Sequence, residues 1–247
     1  MEKKDLFSGH SKIYAAFRPT YPEALYSFLL SRVKVRSCAW DCATGNGQVA
    51  QRLAREFETV HATDISGQQI QEAVQLPNIK YEVQPAESTA FPDSSFDLIT
   101  VGQALHWFNF HAFFREVVRV AKPGALFAAW GYGNIVVDSV IDPYISRFYE
   151  DVVGPYWDER RRFVENGYAD ITFPFKVLNH TEFAIEVTWT RQQLEGYLES
   201  WSATQGYIKA HGTNPVHELS KTLKNLWPDN NTLPIRFPLF LKAGYVR

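Results

Sequence analysis

Between Cys38 and Gly131 short apolar runs alternate with amphipathic stretches, and this alternation restricts what the chain can fold into more than any other feature. Strands are expected at Cys38–Cys42, Thr59–Asp64, Ile79–Val83, Phe96–Gly102 and Ala125–Gly131, with helices at about Gly47–Glu56, Gln68–Leu76 and His111–Val120. Phe96–Gly102 is a nearly continuous apolar run, as a strand buried on both faces in the middle of a parallel sheet requires. Lys122-Pro123-Gly124 reads as a stop before the fifth strand, and Pro22–Val33 as a lead-in helix with proline in its first turn. After strand five the rhythm breaks. Val136–Val164 looks helical and aromatic, Glu182–Thr188 is an alternating strand, Arg191–Ser200 a helix, and Phe237–Val246 closes the chain. The fold class is α/β, and 247 residues suit one such domain with an insertion.

The first strand ends in Asp41 and opens into Asp41-Cys42-Ala43-Thr44-Gly45-Asn46-Gly47, and the second ends in Asp64, 64 − 41 = 23 positions later. Small residues after a strand let the backbone pass close to a bulky ligand at the start of the next helix. An acid at the neighbouring strand tip can take both hydroxyls of a ribose. The layout therefore points to an adenosine-type cofactor, either a nicotinamide dinucleotide or S-adenosylmethionine. A dinucleotide loop carries a third glycine that opens close helix–strand packing around a pyrophosphate; here Ala50 holds that position. The spacing D-x-G/A-x-G-x-G instead resembles motif I of the class I S-adenosylmethionine-dependent methyltransferases, whose loop backs onto the amino-acid part of the cofactor. Ala43 departs from that motif, which usually has glycine there. Alanine is harmless if φ is negative at this position, and a negative φ is the expectation.

Composition narrows the partners. A net charge of −2 gives no field to hold a phosphate backbone, and Arg160-Arg161-Arg162 is flanked by Asp158, Glu159 and Glu165, so nucleic acid is not expected. Cys38 and Cys42 make neither a disulfide framework nor a zinc site, and no His/Asp/Glu cluster has metal spacing. No segment approaches the roughly 18 apolar residues of a membrane helix, and no signal-peptide core follows Met1. The expectation is a cytoplasmic protein without membrane or metal partners, monomeric or weakly dimeric.

Further stretches resemble the methyltransferase type 11 group, and within it the trans-aconitate methyltransferase-like branch. They are Phe17-Arg18-Pro19-Thr20-Tyr21-Pro22, Ala86-Glu87-Ser88-Thr89-Ala90-Phe91-Pro92-Asp93-Ser94-Ser95-Phe96-Asp97-Leu98-Ile99, Gln103-Ala104-Leu105-His106-Trp107-Phe108, Lys122-Pro123-Gly124, and Gly196-Tyr197-Leu198 followed by Ser200-Trp201-Ser202. The resemblance implies a Rossmann-like sheet of seven mostly parallel strands, the last antiparallel, with helices on both faces. It also implies an N-terminal helical segment over 1–34 and a helical substrate cap inserted over 133–178. The implied activity is methyl transfer from S-adenosylmethionine to a small molecule, by resemblance a carboxylate oxygen. The alternatives are C- or N-methylation of another metabolite, or cofactor binding without catalysis.

On this reading Asp64 grips the ribose, and Ala43 and Gly45 face the methionine part. Asp41 either organises the loop as a cap or meets the ammonium through water. Ile65 is an adenine shelf or a core residue. Ala86 and Glu87 meet the adenine edge, unless Glu87 caps the turn at Ser88–Phe91. Arg18, with Tyr14 or Tyr21 closing the site, is the candidate for the methionine carboxylate, against a surface salt bridge. Gln103 contacts the cofactor through its backbone. His106 is a general base, a substrate orienter or a packed structural histidine. Trp107, Trp130, Tyr132, Trp157, Arg161 and Trp201 are candidate walls and cations of the substrate pocket. A sulfonium methyl is already electrophilic, so a base is needed only if the acceptor arrives protonated.

Overall fold

The computed structural model describes residues 19–246, so Tyr14 and Arg18 lie outside the described residues. The described chain opens with α1 (Glu23–Leu30). It continues through β1 (Cys38–Cys42), α2 (Gln48–Leu53), β2 (Thr59–Asp64), α3 (Gly67–Gln71), β3 (Ile79–Val83) and β4 (Phe96–Gly102). A 3-10 turn at Leu105–Trp107 leads to α4 (Phe110–Val120) and β5 (Ala121–Tyr132). Then come α5 (Asp142–Arg147), a π-helical turn (Phe148–Val152), a 3-10 turn (Gly154–Tyr156) and α6 (Arg161–Glu165). The chain closes through β6 (Phe183–Thr190), α7 (Arg191–Glu199), α8 (Ser202–His211), α9 (Val216–Leu226) and β7 (Thr232–Tyr245).

These strands form one sheet in the order β3-β2-β1-β4-β5-β7-β6. β1 to β5 pair in parallel, and β7 runs antiparallel between β5 and β6. The near-continuous apolar strands follow from burial on both faces. Successive residues point to opposite sides of a pleated strand, so Ala39, Leu98, Leu126, Ala128 and Trp130 enter one core while Trp40, Ile99, Val101, Phe127 and Ala129 enter the other. Leu25 and Leu29 of α1 and Ala50 and Leu53 of α2 close the first core; Phe113 and Val117 of α4 close the second. Caps set the helix starts: Asn109 accepts from the Ala112 N–H at 3.1 Å, and Thr190 and Gln193 form a reciprocal capping box.

Several expectations shift. β5 begins at Ala121, four residues before the expected Ala125, with Phe96 paired to Ala121 across a register irregularity. Lys122 is held there because its Nζ reaches the buried Asp97 carboxylate at 2.8 and 2.9 Å, and Gly124 takes φ +80° within the strand. The stretch 136–164 holds four short helical pieces, with Pro143 in the first turn of α5 and Gly154-Pro155 opening the second 3-10 turn. Val164, Tyr168, Ile171 and Phe175 pack into the second core, so this part of the insertion lies under the sheet. α8 and α9 have no counterpart in the sequence reading.

Candidate active site

At the carboxyl ends of β1, β4 and β5 a cleft opens, where an open α/β sheet places its ligand. Pro19, Tyr21, Asp41, the Ala43–Asn46 loop, Gln48, Val49, Gly102, Gln103 and Tyr132 line it. Three loop residues take left-handed backbone: Ala43 at φ +54°, Gly45 at +56° and Gly47 at +83°. The positive φ at Ala43 corrects the expectation of a negative one. The loop is fixed on both sides of this residue, by β1 pairing up to Cys42 and by the Thr44 N–H donating to the Thr63 carbonyl at 2.9 Å, so the chain must turn there with a methyl in place. Gly47 has no such latitude. A Cβ at that position would fall 2.2 Å from the Tyr81 hydroxyl.

Asp41 is buried and organises this loop. Its Oδ2 accepts from the Thr44 hydroxyl at 2.5 Å and from the Ala50 N–H in the first turn of α2 at 3.1 Å; its Oδ1 accepts from the Thr100 hydroxyl at 3.0 Å. Burial pushes the carboxyl up to about 7, against the three hydrogen bonds that favour its charged form. Asp64, at the tip of β2, accepts from the Gly45 N–H and the Ser66 N–H, each at 2.9 Å, and so clamps the glycine loop to the start of α3. Beside it Ile65 is 52% exposed, which removes the core-residue reading. Gln69 was missed in the sequence. It is 95% buried (5% exposed), its Oε1 is the nearest group to the face of Gly45, and no periodicity marks it.

The turn after β4 is built by its own side chains. Gln103 sits at φ +55° and its amide pairs with both backbone groups of Tyr132, donating to the carbonyl at 3.0 Å and accepting from the N–H at 2.8 Å. This extends the β4–β5 ladder one step beyond the strand and spends the Gln103 side chain on structure. Ala86 is buried; Glu87 accepts from the Asn109 N–H at 3.0 Å at the start of α4. His106 is 6% exposed, lies outside the cleft wall and has Nδ1 3.3 Å from the Tyr168 hydroxyl. Burial, then the Arg161 and Arg160 cations, pull its pKa down to about 3.

Of the substrate-wall candidates, Tyr132 lines the cleft, and Trp130 is fully buried edge-on to Tyr21 at 5.4 Å. Trp107 lies under the Arg160 guanidinium at 4.7 Å. Trp201 is buried against Trp157 and Tyr149, at 5.5 and 5.6 Å between ring centroids. Arg161 covers that cluster, 4.8 Å over Trp157 and 5.6 Å over Tyr149, and its Nε donates to the Tyr149 hydroxyl at 3.0 Å. Arg160 is neutralised by Asp158 at 2.9 Å, whereas Arg161 has no carboxylate within ion-pair distance among the described residues.

Residues 40–129 match a family model described as a methyltransferase domain. The chain is 31% identical over 245 residues to a Dictyostelium discoideum protein named "Putative methyltransferase", covering 96% of this chain and 93% of that one. A Saccharomyces cerevisiae protein named "Probable S-adenosylmethionine-dependent methyltransferase" is 24% identical, covering 86% and 84%. The solved structure of a "Putative Type II Methyltransferase" from Anaeromyxobacter dehalogenans superposes with a TM-score of 0.86 at 38% identity, covering 93% of this chain and 98% of that one. With this sheet order and loop, the chain belongs to the class I S-adenosylmethionine-dependent methyltransferases. It is an enzyme, and its cofactor is S-adenosylmethionine. The cleft fits that molecule: a side-chain-poor loop bends outward through three left-handed residues, and an acid stands at the next strand tip. Among the described residues no helix is long and apolar enough to cross a membrane.

Proposed function

We propose that the protein methylates a small-molecule acid, with a carboxylate oxygen as the acceptor atom. The observation that carries this reading is Arg161, a half-buried cation fixed by Tyr149 and two aromatic faces and lacking a carboxylate partner among the described residues. A guanidinium held this way keeps its outer N–H groups directed at a planar anion at little further entropic cost. α6, which carries Arg161, packs on the 3-10 turn that follows Gly102 and Gln103 at the cleft.

The cofactor supplies an electrophilic methyl on a sulfonium. The chain's residues then bind, align and dry the site. The loop amides around Gly45 meet the methionine part, Asp64 takes ribose hydroxyls, and Ile65 supports adenine. Ala86 and Glu87 meet the adenine edge, and Gln103 contributes backbone. Asp41 acts through the loop it holds. Of segment 133–178, the part before Val164, with Trp107, Tyr132 and Trp157 at its contacts, caps the acceptor and keeps water out, while the rest packs into the second core. A carboxylate is ionised at neutral pH, so this reaction asks for no general base.

Two experiments test the proposal. Radiolabelled methyl uptake across a panel of small carboxylic acids, phenols and amines is expected to label acids, and Arg161→Met to lower kcat/KM for the labelled acid at least tenfold. Labelling confined to amines or phenols would overturn it. For the cofactor half, titration calorimetry of Asp64→Ala should show S-adenosylmethionine binding at least tenfold weaker, from the loss of charge-assisted bonds worth about 1.5–3 kcal/mol; unchanged affinity would put the ribose elsewhere.

A further inference from the structure

Gln69 is only 5% exposed, and it sits on α3, whose start at Ser66 is tied to Asp64 by the Ser66 N–H at 2.9 Å. A glutamine side chain carries two amide hydrogens and a carbonyl oxygen, all of which take hydrogen-bond partners. Among the described residues this amide has none. Only the Gln69 backbone is bonded, its N–H donating to the Ser66 hydroxyl at 3.4 Å. Buried polar side chains are nearly always paired, because an unpaired one has given up water for nothing. Nor is this amide sealed in. The enclosed polar atoms without a partner among the described residues belong to Trp130, Trp157, Asn166 and Arg191, so the little surface that Gln69 keeps includes both ends of its amide.

Gly45 shows what that amide faces. This glycine lines the cleft at φ +56°, and apart from its chain neighbours the one described atom within 4 Å of the place where a side chain would begin is the Gln69 carbonyl oxygen, at 3.9 Å. The same glycine donates its N–H to Asp64 at 2.9 Å. Asp64 and the Gln69 amide therefore flank one residue of the cofactor loop, the acid on its N–H and the amide on its open face. Ser66 links the two from behind, bonded to Asp64 through its N–H and to the Gln69 backbone through its hydroxyl.

A carboxylate only accepts hydrogen bonds. It can take the hydrogens of a ribose diol, but the diol oxygens keep lone pairs that a carboxylate cannot fill, and a neighbouring amide can. We propose that Gln69 is a further cofactor-binding residue, whose amide donates to a ribose hydroxyl oxygen while that hydroxyl gives its hydrogen to Asp64. The inference rests on the placement of the ribose at Asp64. It makes the grip on the sugar two-sided, with an acceptor at the strand tip and a donor on the helix that follows.

An amide kept for a ligand and an amide kept for the fold respond oppositely to Gln69→Met, which preserves length and shape without the polar atoms. In the full chain without cofactor, the urea midpoint of Gln69→Met is expected to equal or exceed that of the parent, since the amide it removes has no protein partner. Calorimetric titration with S-adenosylhomocysteine should meanwhile show binding about three- to tenfold weaker, as for the loss of one neutral hydrogen bond. With the 2′-deoxy or the 3′-deoxy form of that compound the weakening should vanish. A lower midpoint, an unchanged affinity, or a weakening that survives with both deoxy compounds would each overturn the assignment. The deoxy comparison does not involve Asp64, so an Asp64→Ala variant with unchanged affinity would remove only the acid from the ribose site. Weaker binding in Asp64→Ala with none in Gln69→Met would remove only Gln69.

Discussion

Replacing Ala43 with glycine should stabilise this protein, against the usual direction of an alanine-to-glycine change. The alanine sits at φ +54° between the last paired residue of β1 and an N–H bonded at 2.9 Å to Thr63, so neither side can rotate to relieve it. Left-handed backbone costs a residue with a Cβ about 1–2 kcal/mol. Glycine removes that cost, and its freer unfolded chain gives back about 0.4–1 kcal/mol. The net gain spans about 0–1.6 kcal/mol and centres on about 0.8 kcal/mol, which for a domain of this size is a rise in Tm of roughly 2–3 °C. Urea unfolding of both proteins at equal m-value measures it directly. A midpoint that falls would refute the argument that the loop holds Ala43 under strain.

Two further predictions concern the same loop. Asp41 has its pKa raised from 3.8 to about 7, so its native site favours the protonated form; its contribution to stability is full below about pH 4 and is lost as pH rises through 7. Asp41→Asn keeps an acceptor for Thr44 and Ala50 and removes the charge, so unfolding midpoints measured from pH 4 to pH 8 should vary less with pH than in the parent; an identical slope would show that Asp41 is not the titrating group. Gly47→Ala combines left-handed strain with a Cβ 2.2 Å from the Tyr81 hydroxyl, and should cost about 2–4 kcal/mol. The double variant with Tyr81→Phe should recover the part of the overlap due to the hydroxyl and leave the backbone part and the ring carbons at 3.0 and 3.1 Å, and full recovery would show that φ at Gly47 carries no cost.

β1 and β4 fall at the residues the sequence predicts because each is a short run buried on both faces, whereas β3, an edge strand, is marked by the alternation of Ile79, Tyr81 and Val83 with Lys80 and Glu82. β7 starts at Thr232, five residues before the sequence reading, because Pro234 and Pro238 argue against a strand until antiparallel neighbours accept them. α8 buries only two residues, too few to write a helical period, whereas α9 carries Val216, Leu219, Leu223 and Leu226 at helical spacing and was legible. In the site, the glycine loop and Asp64 were legible because small residues and an acid at successive strand tips have few other uses. Gln69 and Tyr168 were not, although Asn166-Gly167 was a turn signal that could have drawn attention to the tyrosine after it.

The order of residues by itself determined the sheet-forming runs, the loop spacing and the cofactor class, since those depend on local backbone freedom and on the period of apolar residues. Tertiary structure alone decided which polar groups meet. It gave Asp41 to the loop, left Ala43 under strain and placed Tyr168, 62 residues downstream, against His106. Arg160 found a carboxylate and Arg161 found aromatic faces, although the two are adjacent in the chain. The physical reason is that a side chain's charge, tautomer and freedom are set by burial and by partners distant in sequence, and no local pattern encodes them.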